Sequence, residues 1–476
     1  MDKKPDVIVY ILPLLRYLSG PLLGPERLHA MAKNTSQVVD INAHFLHHRM
    51  TEYFSSNTAL GDHAKPDNSF REVQDWAANQ VEQYTPYSFS QIESMCMELR
   101  EIREAVELLS QSELADFLKS YIPERQPKWI GISILFSGQA LFSMLFAQLF
   151  RAVHPTCEII VGGAHITALQ NKIAKDISYG DFFDGFVFGP AEETFTELCC
   201  MNHPTQHKDV YRAGEKNKRA KEYLNILNLP LSNLALYGIP TLSIPAQTTR
   251  GCAYGKCTFC TYPSTEGKYR RAELEGLQKT IALAQEKKAS LVFKDSYLVP
   301  KRIKELGTII NGRVEWAICT RVNTRFSKEE WATLEQQGLR TVEIGLESIS
   351  SETLDLVQKK QEIKTLYTLF DHLRGRNIHL VINLMTGFPG ESYEDWLELE
   401  QEIQYWDKTY DDVLFSVEKN IFQLEEESPM AKEPQKFGIQ ITKTYPWTNV
   451  CQWNQPNWVN RPEVIRWQGH HLRRKS

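Results

Sequence analysis

No stretch of the 476 residues reaches the ~18 consecutive apolar side chains that a membrane-spanning helix requires. The nearest approach, MDKKPDVIVYILPLLRYLSG, is broken by Pro13 and Arg16 and has no small-residue cleavage site, so it reads as a first buried strand and not as a signal peptide. Neither sign of charge dominates. The 54 basic and 59 acidic side chains leave a formal net charge of -5 without long like-charged blocks, which offers no footprint for duplex nucleic acid or an anionic membrane. Neither is an expected partner. Cysteine is scarce: nine residues, an odd number without a regular framework, argue against a disulfide-stapled scaffold. They fit a reducing compartment, where clustered thiols serve as metal ligands or redox groups, so the expected location is cytoplasmic.

What is present supports a large core: 42% of residues are apolar and 11% aromatic, and the length suggests two or three domains. Strand DVIVYIL, a helical segment through GPERLHAMAKN and strand SQVVDIN form a β-α-β opening. Residues 46–126 carry apolar side chains at three- and four-residue spacing without a sustained heptad, and read as a helical insertion. Alternation resumes with strand WIGISIL, helix QALFSMLFAQLFRAVHP, strand CEIIVGGAHI, a further helix, strand GFVFG and helix EETFTELCC. Continuous Val/Ile runs between helices imply a parallel sheet covered on both faces, a doubly wound, Rossmann-like α/β domain over residues 1–200. The polar stretch 201–221 reads as a linker.

A second β-α series occupies residues 222–430, with strands in LSIPAQTT, SLVFKDS, VEWAICT, RTVEIGLE, IHLVINLMTG and DDVLFSVE. Capping boxes at Ser327/Glu330 and Ser392/Asp395 mark two helix starts. Six parallel strands make a partial (β/α)6 barrel, whose ligands belong at the strand carboxyl ends. Residues 431–476 form a short C-terminal extension.

Three of the nine cysteines fall within RGCAYGKCTFCTYP, directly after the first barrel strand. Cys252, Cys257 and Cys260 follow a C-x4-C-x2-C spacing, with Gly251 and Gly255 letting the loop fold back. Three thiolates can hold three irons of a [4Fe-4S] cluster and leave the fourth iron open to a small chelating molecule. A structural zinc site would want four ligands, and no zinc-ribbon spacing supplies the fourth. Zinc completed from elsewhere and buried free thiols stay as alternatives.

With these residues the chain resembles a radical S-adenosylmethionine (SAM) enzyme over roughly residues 242–420. The resemblance implies that the cysteine loop binds a [4Fe-4S] cluster whose open iron is chelated by the amino and carboxylate groups of SAM, which is reductively cleaved to a 5'-deoxyadenosyl radical. The first gap is one residue longer than the commonest C-x3-C-x2-C. By the same resemblance Phe259 and the GFPG turn at Gly387, Pro389 and Gly390 approach adenine, and Asp295 in FKDSYL faces the SAM amino group. Arg321 in CTRVNTRFS meets its carboxylate, and Glu347 and Ser348 in EIGLES approach the ribose or methionine part. The first domain is similar to the cobalamin-binding domain in front of many radical SAM proteins, which implies a cobalamin near Ser133, Ser137, Gly162, Gly163 and Gly189. No D-x-H-x-x-G is present, so no histidine reaching cobalt from below is expected, and His165 reads as a structural or hydrogen-bonding residue.

Both cofactors together imply C-methylation of an unactivated carbon in a peptide or natural-product substrate, with a reductant such as flavodoxin or ferredoxin as electron donor. The rival reading is a radical SAM peptide epimerase, in which a cysteine outside the cluster returns a hydrogen atom. The candidates for that catalytic role are Cys319, at a barrel strand end, and Cys451, in a tail with Trp447, Trp453 and Trp458 that suits a peptide grip or an aromatic lid. A non-catalytic cluster or cobalamin protein would not need the SAM-like segments.

Overall fold

The computed structural model describes residues 5–13, 19–56, 84–85, 92, 97–221, 224–237, 241–322 and 326–455. The chain forms two compact units. One comprises Met1–Tyr223, Leu227–Leu242 and Tyr445–Asn449; the other comprises Leu224–Ile226, Ser243–Thr444 and Val450–Ser476.

In the first unit, strands β1 (Val7–Ile11), β2 (Ser36–Asp40), β3 (Trp129–Ser133), β4 (Glu158–Gly162) and β5 (Gly185–Phe186) form a parallel sheet in the order β2-β1-β3-β4-β5. Every residue of β1 and β3 is buried. Successive side chains point to opposite faces. Thus Val7, Val9 and Ile11 join one core while Ile8 and Tyr10 join another, as a doubly wound sheet requires. The helix Gly138–Val153 is apolar almost all round and correspondingly buried. The strand order reverses between β1 and β3, the place where open α/β sheets receive ligands beyond their strand ends.

The helical stretch read from residue 46 starts earlier, in the helix Ile41–Ser56. Most of residues 57–96 lies outside the described residues. Beyond them, the helices Leu99–Leu109 and Glu113–Lys119 bury Ile102, Val106, Leu109, Leu114 and Leu118 in the core on one face of the sheet. These helices belong to the crossover from β2 to β3. Apolar spacing marks a covered helix face but not the surface that covers it.

The polar segment 201–221 packs within the first unit. Tyr211 bridges Phe186, the Ala220 amide donates to the Phe188 carbonyl at 2.8 Å, and Val210 and Ala220 are buried. A composition count averages these few anchors away. Residues 445–449 also belong here. Trp447 is fully buried, its ring 4.6 Å from Tyr179 and 5.9 Å from Phe183. Lys172 Nζ donates to the Thr448 carbonyl at 2.7 Å and the Tyr179 hydroxyl to that of Pro446. The tail tryptophan read as part of a lid is therefore a core side chain.

The second unit holds six parallel strands: β6 (Ser243–Ala246), β9 (Ser290–Phe293), β10 (Trp316–Thr320), β11 (Leu339–Glu347), β12 (His379–Thr386) and β13 (Leu414–Ile421). They run in sequential order, the arrangement of an open partial barrel. A two-residue pair, β7 (Thr249–Arg250) with β8 (Arg270–Arg271), brackets the cysteine loop. The expected capping boxes at Ser327/Glu330 and Ser392/Asp395 are formed. Burial strictly alternates along β12: Leu380, Ile382 and Leu384 are buried, whereas Val381, Asn383 and Met385 are partly exposed. The sheet thus buries one face under its helices and offers the other. After β13 come the short strands β14 (Leu424–Glu425), β15 (Gln440–Lys443) and β16 (Val450–Asn454), an antiparallel sheet in the order β14-β16-β15.

Candidate active site

The cysteine loop of the second unit is tied down along its length. The Gly251 amide donates to Glu266 Oε2 at 3.0 Å, and Ser296 Oγ, beyond β9, donates to the same oxygen at 2.6 Å. The Thr258 amide donates to the Val357 carbonyl at 3.0 Å, the Met430 amide to the Thr258 carbonyl at 2.8 Å, and the Tyr254 hydroxyl to the Gln358 carbonyl. Thr261 Oγ1 donates to the Glu425 carboxylate. Such bracing sets the loop's shape before any ligand arrives. Cys252, Cys257 and Cys260 are partly buried free thiols. Burial pushes the Cys257 thiol up, and the Cys260 thiol up to about 12, so a bound cation would supply the counter-charge that thiolates need here. Among the described residues no group of three or more His, Cys, Asp and Glu side chains is disposed to hold a single metal ion. One thiolate per iron, as in a cluster, does not ask for that convergence.

Around the loop stand buried polar atoms that lack partners. Asp295 Oδ1 accepts from the Thr248 amide at 3.0 Å, from Thr249 Oγ1 at 2.6 Å and from the Thr249 amide, while Oδ2 is buried and unsatisfied. Burial lifts this carboxyl to about 6. Half of the side chain read as a ligand group therefore shapes the loop entry, and the other oxygen is left over. Arg321 stacks 3.7 Å over the Tyr254 ring and donates from Nη2 to the Lys359 carbonyl, and its buried Nε has no partner. The Tyr269 hydroxyl is a third orphan. Unpaired buried polar atoms cost about 1–3 kcal/mol each, and a cluster of them marks a place that a polar ligand completes.

Glu347 ends β11 in an unusual backbone state. The register slips between Gly345 and Glu347, and Glu347 has φ +73°. Together the bulge and the left-handed turn aim its carboxylate at Lys359, with Nζ to Oε1 at 2.6 Å and both residues buried. A Cβ at Gly345 would lie 2.6 Å from Glu347 Oε1 and 3.0 Å from Lys359 Nζ, so a larger residue there would displace the tips of the paired side chains. A non-glycine residue held in such a conformation costs about 1–3 kcal/mol, and such strain concentrates at functional sites. Ser348 Oγ accepts from the Ser350 amide at 3.2 Å, an assignment to the local turn.

The GFPG turn is built around a carboxylate that sequence reasoning missed. Glu391 Oε2 accepts from the Gly387 amide at 2.7 Å and the Phe388 amide at 3.1 Å. Its only signal was an acid four residues after the glycine. A Cβ on Gly387 would meet nothing closer than Ile421 at 4.0 Å, so the turn leaves room beside it. Burial pushes Glu391 up to about 7, above its ordinary 4.5. Between those values the folded state binds more protons than the unfolded one, so this group makes stability fall as pH rises through that window. Glu391→Gln is expected to flatten that part of the stability-pH curve, measured by urea unfolding at closely spaced pH. Phe259 packs its ring 5.6 Å from Phe388.

The two catalytic-cysteine candidates part company. Cys451 pairs with Leu424 in the small antiparallel sheet and is 4% exposed in an apolar cluster with Phe388, Phe422 and Trp453. Cys319 lies on the offered face of the barrel sheet, opposite Glu343 and partly exposed. Burial, then the Glu343 charge, pushes its thiol up to about 12, which keeps it protonated. Trp458 falls outside the described residues.

In the first unit Ser133 and Ser137 lie at the β1/β3 reversal, whereas Gly162 ends β4, Gly163 comes directly after it and Gly189 follows β5. Ser133 ends β3, Ser137 precedes the helix Gly138–Val153, and Phe136 between them is 63% exposed. Gln139, which sequence reasoning passed over, joins the two strand ends: Nε2 donates to the Leu12 carbonyl at 2.7 Å and Oε1 accepts from the Leu135 amide at 2.8 Å. The glycines serve the chain's own packing. Gly163 has φ +107°, and a Cβ there would lie 2.4 Å from the Ile134 carbonyl oxygen; a Cβ on Gly162 would lie at ordinary contact, 3.4 Å, from the Val187 carbonyl oxygen, and one on Gly189, whose φ is +78°, 3.2 Å from Arg219 Cβ. His165 Nε2 is 3.0 Å from the Trp447 carbonyl, which only accepts, so Nε2 carries the proton. Burial lowers His165 to about 4 and keeps it neutral.

Residues 246–403 match the model of the Radical SAM superfamily. An uncharacterized methyltransferase of Pyrococcus horikoshii is 23% identical over 355 residues, covering 67% of this chain and 72% of that protein. The structure resembles that of TsrM from Kitasatospora setae, a radical SAM methyltransferase solved with cobalamin and a [4Fe-4S] cluster, with TM-score 0.60 and 14% identity, over 98% of this chain and 88% of that one. It also resembles the cobalamin-dependent SAM radical enzyme OxsB, with TM-score 0.62 and 13% identity, over 98% of this chain and 67% of that one. At these identities the likeness is one of fold, and it extends over both units. The cysteine loop, the sequential six-stranded sheet and the matched span agree: the chain carries a radical SAM domain over residues 246–403.

Proposed function

We propose that this protein is a cobalamin-dependent radical SAM methyltransferase that methylates an unactivated carbon of a peptide or small natural-product substrate. The observation that carries the reading is the braced three-cysteine loop with the unpaired Asp295 Oδ2 and Arg321 Nε beside it. Cys252, Cys257 and Cys260 would hold a [4Fe-4S] cluster. The Asp295 oxygen, an acceptor, suits the SAM amino group, and the Arg321 nitrogen, a donor, suits its carboxylate. Glu347 is the acceptor available to the ribose, and the space beside Gly387 suits adenine. In the first unit the Ser133–Ser137 loop, with Phe136 exposed at the strand reversal, would hold cobalamin. Bound cluster and cobalamin supply one-electron reduction of SAM and carriage of a methyl group, respectively. The residues' share is to fix SAM by its two charged ends and to present the open face of the sheet to the substrate, so that the reacting carbon is held in place. A flavodoxin- or ferredoxin-type protein is the proposed electron donor.

The test is anaerobic reconstitution with iron, sulfide and hydroxocobalamin, followed by SAM, a reductant and candidate substrates. The expected result is 5'-deoxyadenosine together with a product one methylene heavier, dependent on cobalamin. A second reading has one observation in its favour: Cys319, protonated and on the offered face of the sheet, is a chemically competent hydrogen donor for epimerisation. Turnover in heavy water separates the two, because epimerisation puts one deuterium into the product and Cys319→Ala removes it.

A further inference from the structure

Two cations and one anion are buried along the rim of the cysteine loop, and the chain goes to some trouble to place them. Arg321 lies against Tyr254, a residue between the first two cysteines, and Lys359 Nζ is 6.0 Å from the ring of Phe259, a residue between the last two. Lys359 reaches this position because the turn after the helix Ser351–Leu356 is pinned to the loop through Val357 and Gln358, with left-handed backbone at Gln358 and Lys360. Glu347 reaches it through the β11 bulge, its own left-handed backbone and the bare Cα of Gly345. Burial opposes the Lys359 charge, but Glu347 and its other neighbours outweigh it and hold the ammonium above its usual range.

On the reading that these cysteines bind a cluster, we infer that the Lys359–Glu347 pair sets its reduction potential. Reduction adds one negative charge to the cluster. A buried ammonium against Phe259 of the cysteine loop favours that added charge and the buried carboxylate paired with it opposes it, so the two partners pull the potential in opposite directions while fixing each other in space. Lys359 is thus a positioning residue with an electronic effect on the cluster, distinct from a group that contacts substrate.

The experiment is an EPR-monitored redox titration of the full-length, reconstituted protein, with iron and sulfide content measured on every sample. Lys359→Gln is expected to lower the midpoint so that the reduced fraction at fixed potential falls about tenfold, equivalent to about 59 mV for one electron. Glu347→Gln is expected to raise it by less, and Lys359→Arg to stay near the parent. Opposite signs for the two neutralising variants cannot come from simple loosening of the loop, which would move both the same way. If K359Q fails to take up iron, the sign of the E347Q shift decides alone. Cluster-loaded variants with unchanged midpoints, or with shifts of the same sign, overturn the inference and leave the cluster reading intact. A parent protein that binds no iron and sulfide overturns both.

Discussion

Alanine at any one of Cys252, Cys257 or Cys260 is expected to reduce 5'-deoxyadenosine formation to the level of a protein-free control, whereas Cys319→Ala and Cys451→Ala are expected to keep the parent's iron and sulfide. The difference follows from where each thiol sits. The first three share a loop anchored at Glu266, Val357, Gln358 and Met430, so losing one sulfur leaves the loop standing but removes one of the three proposed ligands. Cys319, by contrast, belongs to β10 and is held there by the strand's pairing with β11. Cys451 is enclosed by apolar side chains. Iron and sulfide assays, with visible absorbance and product analysis on the same preparations, check the prediction. A Cys257→Ala protein that retained both the cluster and SAM cleavage would refute the assignment of ligands.

The largest effect on stability is expected from Gly163→Ala. Its backbone is left-handed, a region that costs about 1–3 kcal/mol for other residues, and the new methyl carbon would sit 2.4 Å from the Ile134 carbonyl oxygen. Backbone cannot swing aside like a side-chain tip: the Ile134 carbonyl accepts the His165 amide at 3.2 Å, and the Ile134 amide donates to Gly162. Overpacking of this kind adds about 1–3 kcal/mol. The total, about 3 kcal/mol or more, corresponds to a fall in Tm of roughly 6–12 °C for a unit of this size. Differential scanning calorimetry measures it. Gly24→Ala, where a Cβ would meet nothing within 4 Å, is the control.

Much of this architecture was legible in one dimension because its signals are local. Strand periodicity, the capping pairs at Ser327 and Ser392 and the cysteine spacing each involve residues within a turn or two of one another, and the structure contains all of them. The site's supporting cast is different. Lys359 matters because a bulge turns Glu347 toward it, and Glu391 matters because two amides of a turn converge on it. Neither residue type is rare, and neither sits in a pattern that separates it from a solvated charge. Gly163 illustrates a related limit: a glycine at a strand end announces close approach, and in the fold the Ile134 carbonyl lies where its side chain would be. Asp295 shows both sides at once, since one oxygen braces Thr248 and Thr249 and the other is left for a partner.

The burial of Trp447 has a consequence for biosynthesis. Its contact with His165 spans 282 residues of chain, so at ~5–20 residues per second the ribosome needs roughly 14–56 s to deliver the tryptophan after the histidine has been made. Throughout that interval the nascent first sheet lacks one of its largest core side chains, and Tyr179 and Phe183 face an open slot. A gene fragment stopping at residue 242 would carry that wound permanently, and co-expressing it with residues 243–476 as a separate piece is the way to heal it.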